Sequence, residues 1–252
     1  SVDGNLDKVT VNKNGYVSAI VTGTTYKSVI ITYDEKGNEL FKTYLSKTIA
    51  VDACVSPDNA EFAYAEVNNS GTTIQSNIKI ISIKDVKEKN TEPKYEYNAV
   101  QGSLILRIKY QDKSRLICMY DDSIHKFETG VDVELTKLNE DNPKITFADI
   151  ELNNYVFRTY EKSTSLFSAD TIIEMQNTSN GKENVYTIEE VAKSVVSNNN
   201  VIAVNLGNEV YFVETNAWLI KRYSSSQVIE KIILGDGVAG IIYSDKIEIV
   251  NL

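Results

Sequence analysis

The residues of this chain that could do chemistry are few, and their spacing does not favour it. His125 is the single histidine. Zinc sites and nucleophile–base pairs draw on histidine with partners close by. The alternating run Ser123–Phe127 around His125 holds no metal-ligand spacing, so it reads as a plain strand histidine. No G-x-S-x-G, H-E-x-x-H or P-loop pattern occurs. Gly235-Asp236-Gly237-Val238-Ala239-Gly240 is formally a G-x-G-x-x-G. A dinucleotide fold needs those glycines to end a strand and open a helix. Here Ile241-Ile242-Tyr243 continues as a strand, and the motif reads as a turn.

Carboxylates are plentiful, but the adjacent pairs Asp121-Asp122 and Glu189-Glu190 look like turn and rim residues. Neighbours on a strand point to opposite faces, which is wrong for the cooperating pair of a glycosidase. The run Asp34-Glu35-Lys36-Gly37-Asn38-Glu39 lacks the ligand order of a calcium loop and reads as a hairpin turn. Cys54 and Cys118 fall at different points of different repeats and read as small buried apolar residues. The formal glycosylation sequons Asn68-Asn69-Ser70 and Asn177-Thr178-Ser179 read as polar loops. We therefore expect no catalytic residue, no cofactor and no metal.

What positions these residues is a repeat. Residues 192–204 align without a gap to 229–241, and Glu209–Val213 to Lys246–Val250, both at an offset of 37. Period-two apolar patterning runs nearly throughout, the mark of strands with one buried face. Turn signals such as Asn12-Lys13-Asn14-Gly15 and Ser56-Pro57-Asp58-Asn59 punctuate it. Short strands repeating at about 40 residues predict an all-β fold, a β-propeller of four-stranded antiparallel blades. Six repeats cover roughly 7–48, 49–98, 99–141, 142–191, 192–228 and 229–252 of a single domain, 1–252. The sixth supplies three strands. Pairing of Ser1–Leu6 with Ile247–Leu252 would close a six-bladed ring; an intact protein of seven or eight blades is the alternative. Lys84–Pro93 reads as an extended hairpin turn.

The formal net charge is −9, and Arg107, Arg115, Arg158 and Arg222 are the only arginines. Nucleic-acid binding needs a dense basic surface, so no nucleic-acid partner is expected. No run of 18 apolar residues exists to span a membrane. The chain opens at Ser1 without Met, which suggests a trimmed or mature form.

Val11-Asn12-Lys13-Asn14-Gly15-Tyr16-Val17, Tyr33-Asp34-Glu35-Lys36-Gly37-Asn38-Glu39-Leu40 and Val55-Ser56-Pro57-Asp58-Asn59 carry a resemblance. Over about residues 8–85 the chain resembles an uncharacterised family of clostridial and related Firmicute proteins with WD-repeat-like or quinoprotein-like propellers. The resemblance implies an N-terminal membrane anchor and an extracytoplasmic propeller of no established activity. Quinoproteins carry a tryptophan in each blade; here Trp218 is the only one, so the likeness concerns shape and not redox chemistry.

In a propeller, loops joining second and third strands share a face with the loops between blades, and the tight turns lie opposite. The longest loops, Asn68–Gln75 and Glu161–Ala169, belong to the first set. Binding residues concentrate on long loops over a rigid scaffold, which selects Tyr26, Asn69, Thr73 and Tyr160 as contacts. The expected function is a non-catalytic protein-interaction module. It would be the extracytoplasmic domain of a membrane-anchored envelope protein, with protein partners of the cell envelope and a role in envelope assembly or division by analogy. A glycan or small-ligand binder and a hydrolase with dispersed carboxylates are the alternatives.

Overall fold

The computed structural model describes residues 3–87, 91–99, 102–139, 143–166 and 168–252. These form 23 strands and one helical turn, and the strands group into two compact units. The first, Ser1–Lys137, holds three four-stranded sheets. They are β1 (Asn5–Val11), β2 (Val17–Thr22), β3 (Ser28–Tyr33) and β4 (Glu39–Leu45); β5 (Ile49–Val55), β6 (Glu61–Asn68), β7 (Gln75–Ser82) and β8 (Tyr95–Asn98); and β9 (Ile105–Tyr110), β10 (Arg115–Tyr120), β11 (Ser123–Glu128) and β12 (Val131–Lys137).

The second unit, Leu138–Leu252, holds two more four-stranded sheets and one of three strands. They are β13 (Ile145–Asp149), β14 (Tyr155–Ser163), β15 (Ala169–Asn177) and β16 (Glu183–Ile188); β17 (Ser194–Asn198), β18 (Val201–Asn205), β19 (Glu209–Glu214) and β20 (Leu219–Ser224); and β21 (Lys231–Leu234), β22 (Val238–Ile242) and β23 (Ile247–Asn251). Every sheet is an antiparallel meander in chain order. All six expected repeats thus appear as separate sheets. Asn5 and Leu6 open β1, where they pair with Thr22 and Val21, and β21–β23 stays three-stranded. Ser1 and Val2 lie outside the described residues.

Strand burial differs from the expectation of one buried face. Inner residues of β6 are buried in succession. Phe62 and Tyr64 point into the core shared with the first sheet, and Ala63 and Ala65 into the core shared with the third. A strand sandwiched between two sheets has no solvent face, so its run reads as continuously apolar. In the second unit β18 does the same: Ile202 and Val204 face the fourth sheet, Ala203 the sixth. An aromatic pair packs in each of the two cores on either side of β6, with ring centroids 4.4 Å apart for both Phe41–Phe62 and Tyr97–Phe127.

One local feature departs from the reading by turns. Lys84–Pro93 was expected as an extended turn, yet Ile83–Lys87 forms one turn of helix, α1. Its entry is capped by Ser82, whose hydroxyl accepts the N–H of Asp85 at 3.3 Å. The expected turn at Ser56–Asn59 is present and tied internally: Ser56 Oγ donates to Asp58 at 2.7 Å and accepts Glu61 N–H at 3.0 Å. Asn59 there has φ of 60°, a left-handed conformation that asparagine tolerates.

Candidate functional site

In the first unit three loops meet: Gly23–Lys27 between β2 and β3, Asn68–Gln75 between β6 and β7, and the connection from β4 to β5. Lys27 joins them. Its ammonium donates to Lys47 O at 3.1 Å, Asn69 Oδ1 at 3.1 Å and Ser70 Oγ at 3.5 Å. Each loop is also stiffened from within. Ser70 N–H donates to Asn68 Oδ1 at 3.0 Å, and Tyr26 N–H to Thr24 Oγ1 at 3.1 Å.

Beneath the loops lies an ion pair whose carboxylate is buried. Glu66, 3% exposed, accepts from Lys79 Nζ at 2.8 Å and from Thr48 Oγ1 at 2.8 Å. Burial first, and the charge of Glu66 second, push the neighbouring Tyr64 phenol well up. The loops therefore stand on a fixed floor.

On the edge of this face Tyr26 packs on Tyr44 with centroids 4.7 Å apart and planes at 42°. Both rings are open to solvent, 40% and 51% exposed. Lys42 Nζ lies 5.4 Å from the Tyr44 centroid, a cation–π distance. Such a surface offers two amphipathic rings and two ammonium groups on a rigid base.

Of the four residues expected as contacts, the structure brings two to this place. Tyr26 forms the ring pair and Asn69 is held by Lys27, the residue next to Tyr26. Thr73 lies exposed in the same loop as Asn69. Tyr160 belongs to the second unit, and its hydroxyl is committed there. It donates to Glu174 Oε1 at 3.0 Å, while Arg158 Nε donates to Glu174 Oε2 at 2.9 Å. Partial burial, then the Glu174 hydrogen bond, raise its phenol. Tyr44, Lys27 and Lys42, which stand beside them, were not among the expected contacts. Lys42 and Tyr44 stand two apart on outer strand β4, hence on one face, and that spacing was a legible signal.

His125 has more partners than its sequence context suggested. Nδ1 lies 2.7 Å from Asp132 Oδ1, and Nε2 lies 3.1 Å from Ser123 Oγ. Ser123 and His125 share a face of β11, and Asp132 sits diagonally across on β12. The connectivity is that of a nucleophile, a base and an orienting acid. Yet Ser123 is only 6% exposed, and its hydroxyl donates to Asp122 Oδ1 at 2.8 Å. A carboxylate that close would oppose the oxyanion formed on attack. The chain of bonds instead fastens β12 to β11.

The remaining candidates serve the fold. Asp121 accepts Leu104 N–H at 2.8 Å and Asp122 accepts Ser103 Oγ–H at 2.9 Å. Asp34 accepts the N–H groups of Lys36 and Asn38 at 2.9 and 2.8 Å, the hairpin turn expected. Gly235–Val238 is a hairpin turn with Gly235 N–H donating to Val238 O at 2.9 Å; Gly237 takes φ of 68°, and β22 follows directly. Neither cysteine is in a disulfide: Cys118 is buried as expected, whereas Cys54 is only half-buried against the same core, and burial pushes the Cys118 thiol well up, away from the reactive thiolate. Among the described residues no cluster of three or more His, Cys, Asp or Glu is placed to hold a metal, and no helix is long and apolar enough to cross a membrane.

Sequential four-stranded meanders stacked face to face are the building plan of β-propellers. Solved structures carry the same fold. The β-propeller domain of the Trilobed protease from Pyrococcus furiosus superposes with a TM-score of 0.60 at 12% identity, over 98% of this chain and 84% of that one. Hsv2 of Kluyveromyces lactis matches with 0.57 at 10% identity, over 99% and 75%. A chain of the mitotic checkpoint complex matches with 0.56 at 9% identity, over 97% and 72%. The class is thus an all-β protein of the propeller type. The chain belongs to DUF5711, a family of unknown function whose sequence model matches residues 1–252. No curated protein matches it.

Proposed function

We propose that this chain is a non-catalytic protein-interaction module, presenting the loop face of its first unit to a protein partner. The observation that carries the reading is the exposed Tyr26–Tyr44 pair, held at the edge of loops that Lys27 and the Glu66–Lys79 pair make rigid. Tyrosine supplies large contact area at low entropic cost, and pre-ordered loops lower the cost of binding. The flanking Lys27 and Lys42 favour a partner surface with an acidic rim. That a chain of the mitotic checkpoint complex has a similar fold supports such use of it. The resemblance in residues 8–85 supports a finer reading: an extracytoplasmic domain, anchored in the membrane of a Firmicute cell, whose partner belongs to the cell envelope and acts in envelope assembly or division.

The test is affinity capture with the chain as bait from a detergent extract of envelopes, quantified by mass spectrometry. Tyr26→Ala combined with Tyr44→Ala should deplete at least one protein held by the wild type. A captured set unchanged by the double substitution would remove the loop face as the docking surface.

A further inference from the structure

The hairpin of β14 and β15 is longer than the sheet that holds it. Its strands pair from Tyr155↔Asn177 out to Ser163↔Ala169. Its neighbour β13 reaches only Tyr160, and β16 only Thr171. Beyond those points the two strands run on without lateral partners in the sheet, and residues 161–166 are exposed. The turn at the end supports itself. Thr164 and Ser165 N–H groups donate to Ser168 O at 3.0 and 3.2 Å, and Thr164 Oγ1 lies 3.0 Å from Ser168 Oγ. On this knot Leu166 is 88% exposed, more than any other large apolar residue described.

We propose that this hairpin tip is a second docking element, whose Leu166 enters an apolar pocket on a protein partner. The proposal rests on the reading of the chain as an interaction module. Charge decides between a protein pocket and a lipid surface. Stable membrane binding through a short apolar tip needs a second signal, usually a basic cluster. The stem carries one lysine, Lys162, directly opposite Asp170, together with Glu161. The whole chain carries −9. An acidic stem under an apolar tip fits a pocket with a basic rim.

The test places the photo-crosslinking residue p-benzoylphenylalanine at position 166, and at position 180 as a control, in cells making the protein. Crosslinked proteins are identified by mass spectrometry, purified and titrated against the wild-type chain and Leu166→Ser. The proposal expects one protein joined from 166 and not from 180, with affinity lowered about 10-fold or more by Leu166→Ser, as loss of a buried leucine implies. An unchanged thermal midpoint shows that the variant is folded. No protein joined at 166, equal affinity for Leu166→Ser, or Leu166-dependent flotation with phosphatidylcholine–phosphatidylglycerol vesicles would each overturn it. Those results leave the loop face untouched, because Tyr26→Ala with Tyr44→Ala reports on that face separately.

Discussion

Asp52 Oδ2 accepts the backbone N–H of Ile108, 56 residues further on, at 3.0 Å. Its other oxygen accepts Ala53 N–H at 2.9 Å and Lys8 Nζ at 2.8 Å. One carboxylate thereby ties together β1, β5 and β9, the first strands of three sheets. The second unit repeats the device with Asp149, which accepts Ile150 N–H at 2.8 Å and Ser197 Oγ–H, on the next first strand, at 3.0 Å. Sheets packed only through apolar faces could slide; a directional bond from strand to strand sets their register.

Removing Asp52 should therefore cost more than an ordinary core hydrogen bond. Asp52→Ala leaves Ile108 N–H unpaired in a buried place and Lys8 without its partner, a loss of about 3–5 kcal/mol. Asp149, less buried, should cost about 1 kcal/mol on Asp149→Ala. Urea unfolding midpoints measure both, and equal losses at the two positions would speak against burial as the cause.

The Glu66–Lys79 pair makes a second prediction. Lys79 is 24% exposed at its side chain and Glu66 4%. Lys79→Met strands a buried carboxylate and should destabilise by about 3 kcal/mol, whereas Glu66→Gln with Lys79→Met should restore most of that. A double-mutant cycle with no coupling would show that the pair is not what stiffens the floor of the loop face.

The third concerns pH. Tyr223 donates to Glu248, lies 2.7 Å from Tyr243 Oη, and Lys246 pairs with Glu248. Lys246 first, then Tyr223, hold the Glu248 carboxyl below its ordinary value of 4.5. The bond to Glu248 first, then that to Tyr243, raise the Tyr223 phenol above its ordinary 10.0. A depressed carboxyl contributes stability above its unfolded value and loses it as pH falls through the folded one. A raised phenol contributes below its unfolded value and loses it as pH rises through the folded one. The network should thus be intact between about pH 5 and 9. Thermal midpoints across pH should show Glu248→Gln flattening the acid limb and Tyr223→Phe the alkaline limb. Limbs that match the wild type would exclude the network as their source.

The fourth concerns the tight turns. Asn12 Nδ2 donates to Asn59 Oδ1 at 2.7 Å and to Ser56 O at 3.0 Å, and Asn14 Nδ2 donates to Pro57 O at 2.7 Å. Asn198 Nδ2 likewise reaches Leu234 O, on the next sheet, at 3.1 Å. These asparagines hold neighbouring turns together besides shaping their own. Asn59→Ala loses the acceptor and strains φ of 60°, a cost of about 2 kcal/mol, while Asn59→Gly keeps the backbone and should cost about 1 kcal/mol. Calorimetric midpoints that rank glycine at or below alanine would show that backbone strain contributes nothing.

Much of the architecture was legible because its signals are local. Asn12–Gly15, Ser56–Asn59 and Gly235–Gly237 mark turns through φ preferences that a few residues carry, and the 37-residue offset matches Gly235–Gly237 to Asn198–Asn200. The six sheets fall where those turns put them. The site was less legible. Tyr26 and Asn69 could be chosen from loop length, but nothing nearby in sequence says that Lys27 reaches Asn69, 42 residues away. Tyr160 looked equivalent until its hydroxyl was seen bonded to Glu174.

The sequence alone determined the strands, their turns and their order, because steric and hydrogen-bonding preferences act over a few residues. Only the tertiary structure decided which faces are buried twice, as in β6, and which polar groups are spent on the fold, as in Asp52 and Asn12. Those outcomes depend on what another sheet brings within 3 Å, and chain separation carries no record of it.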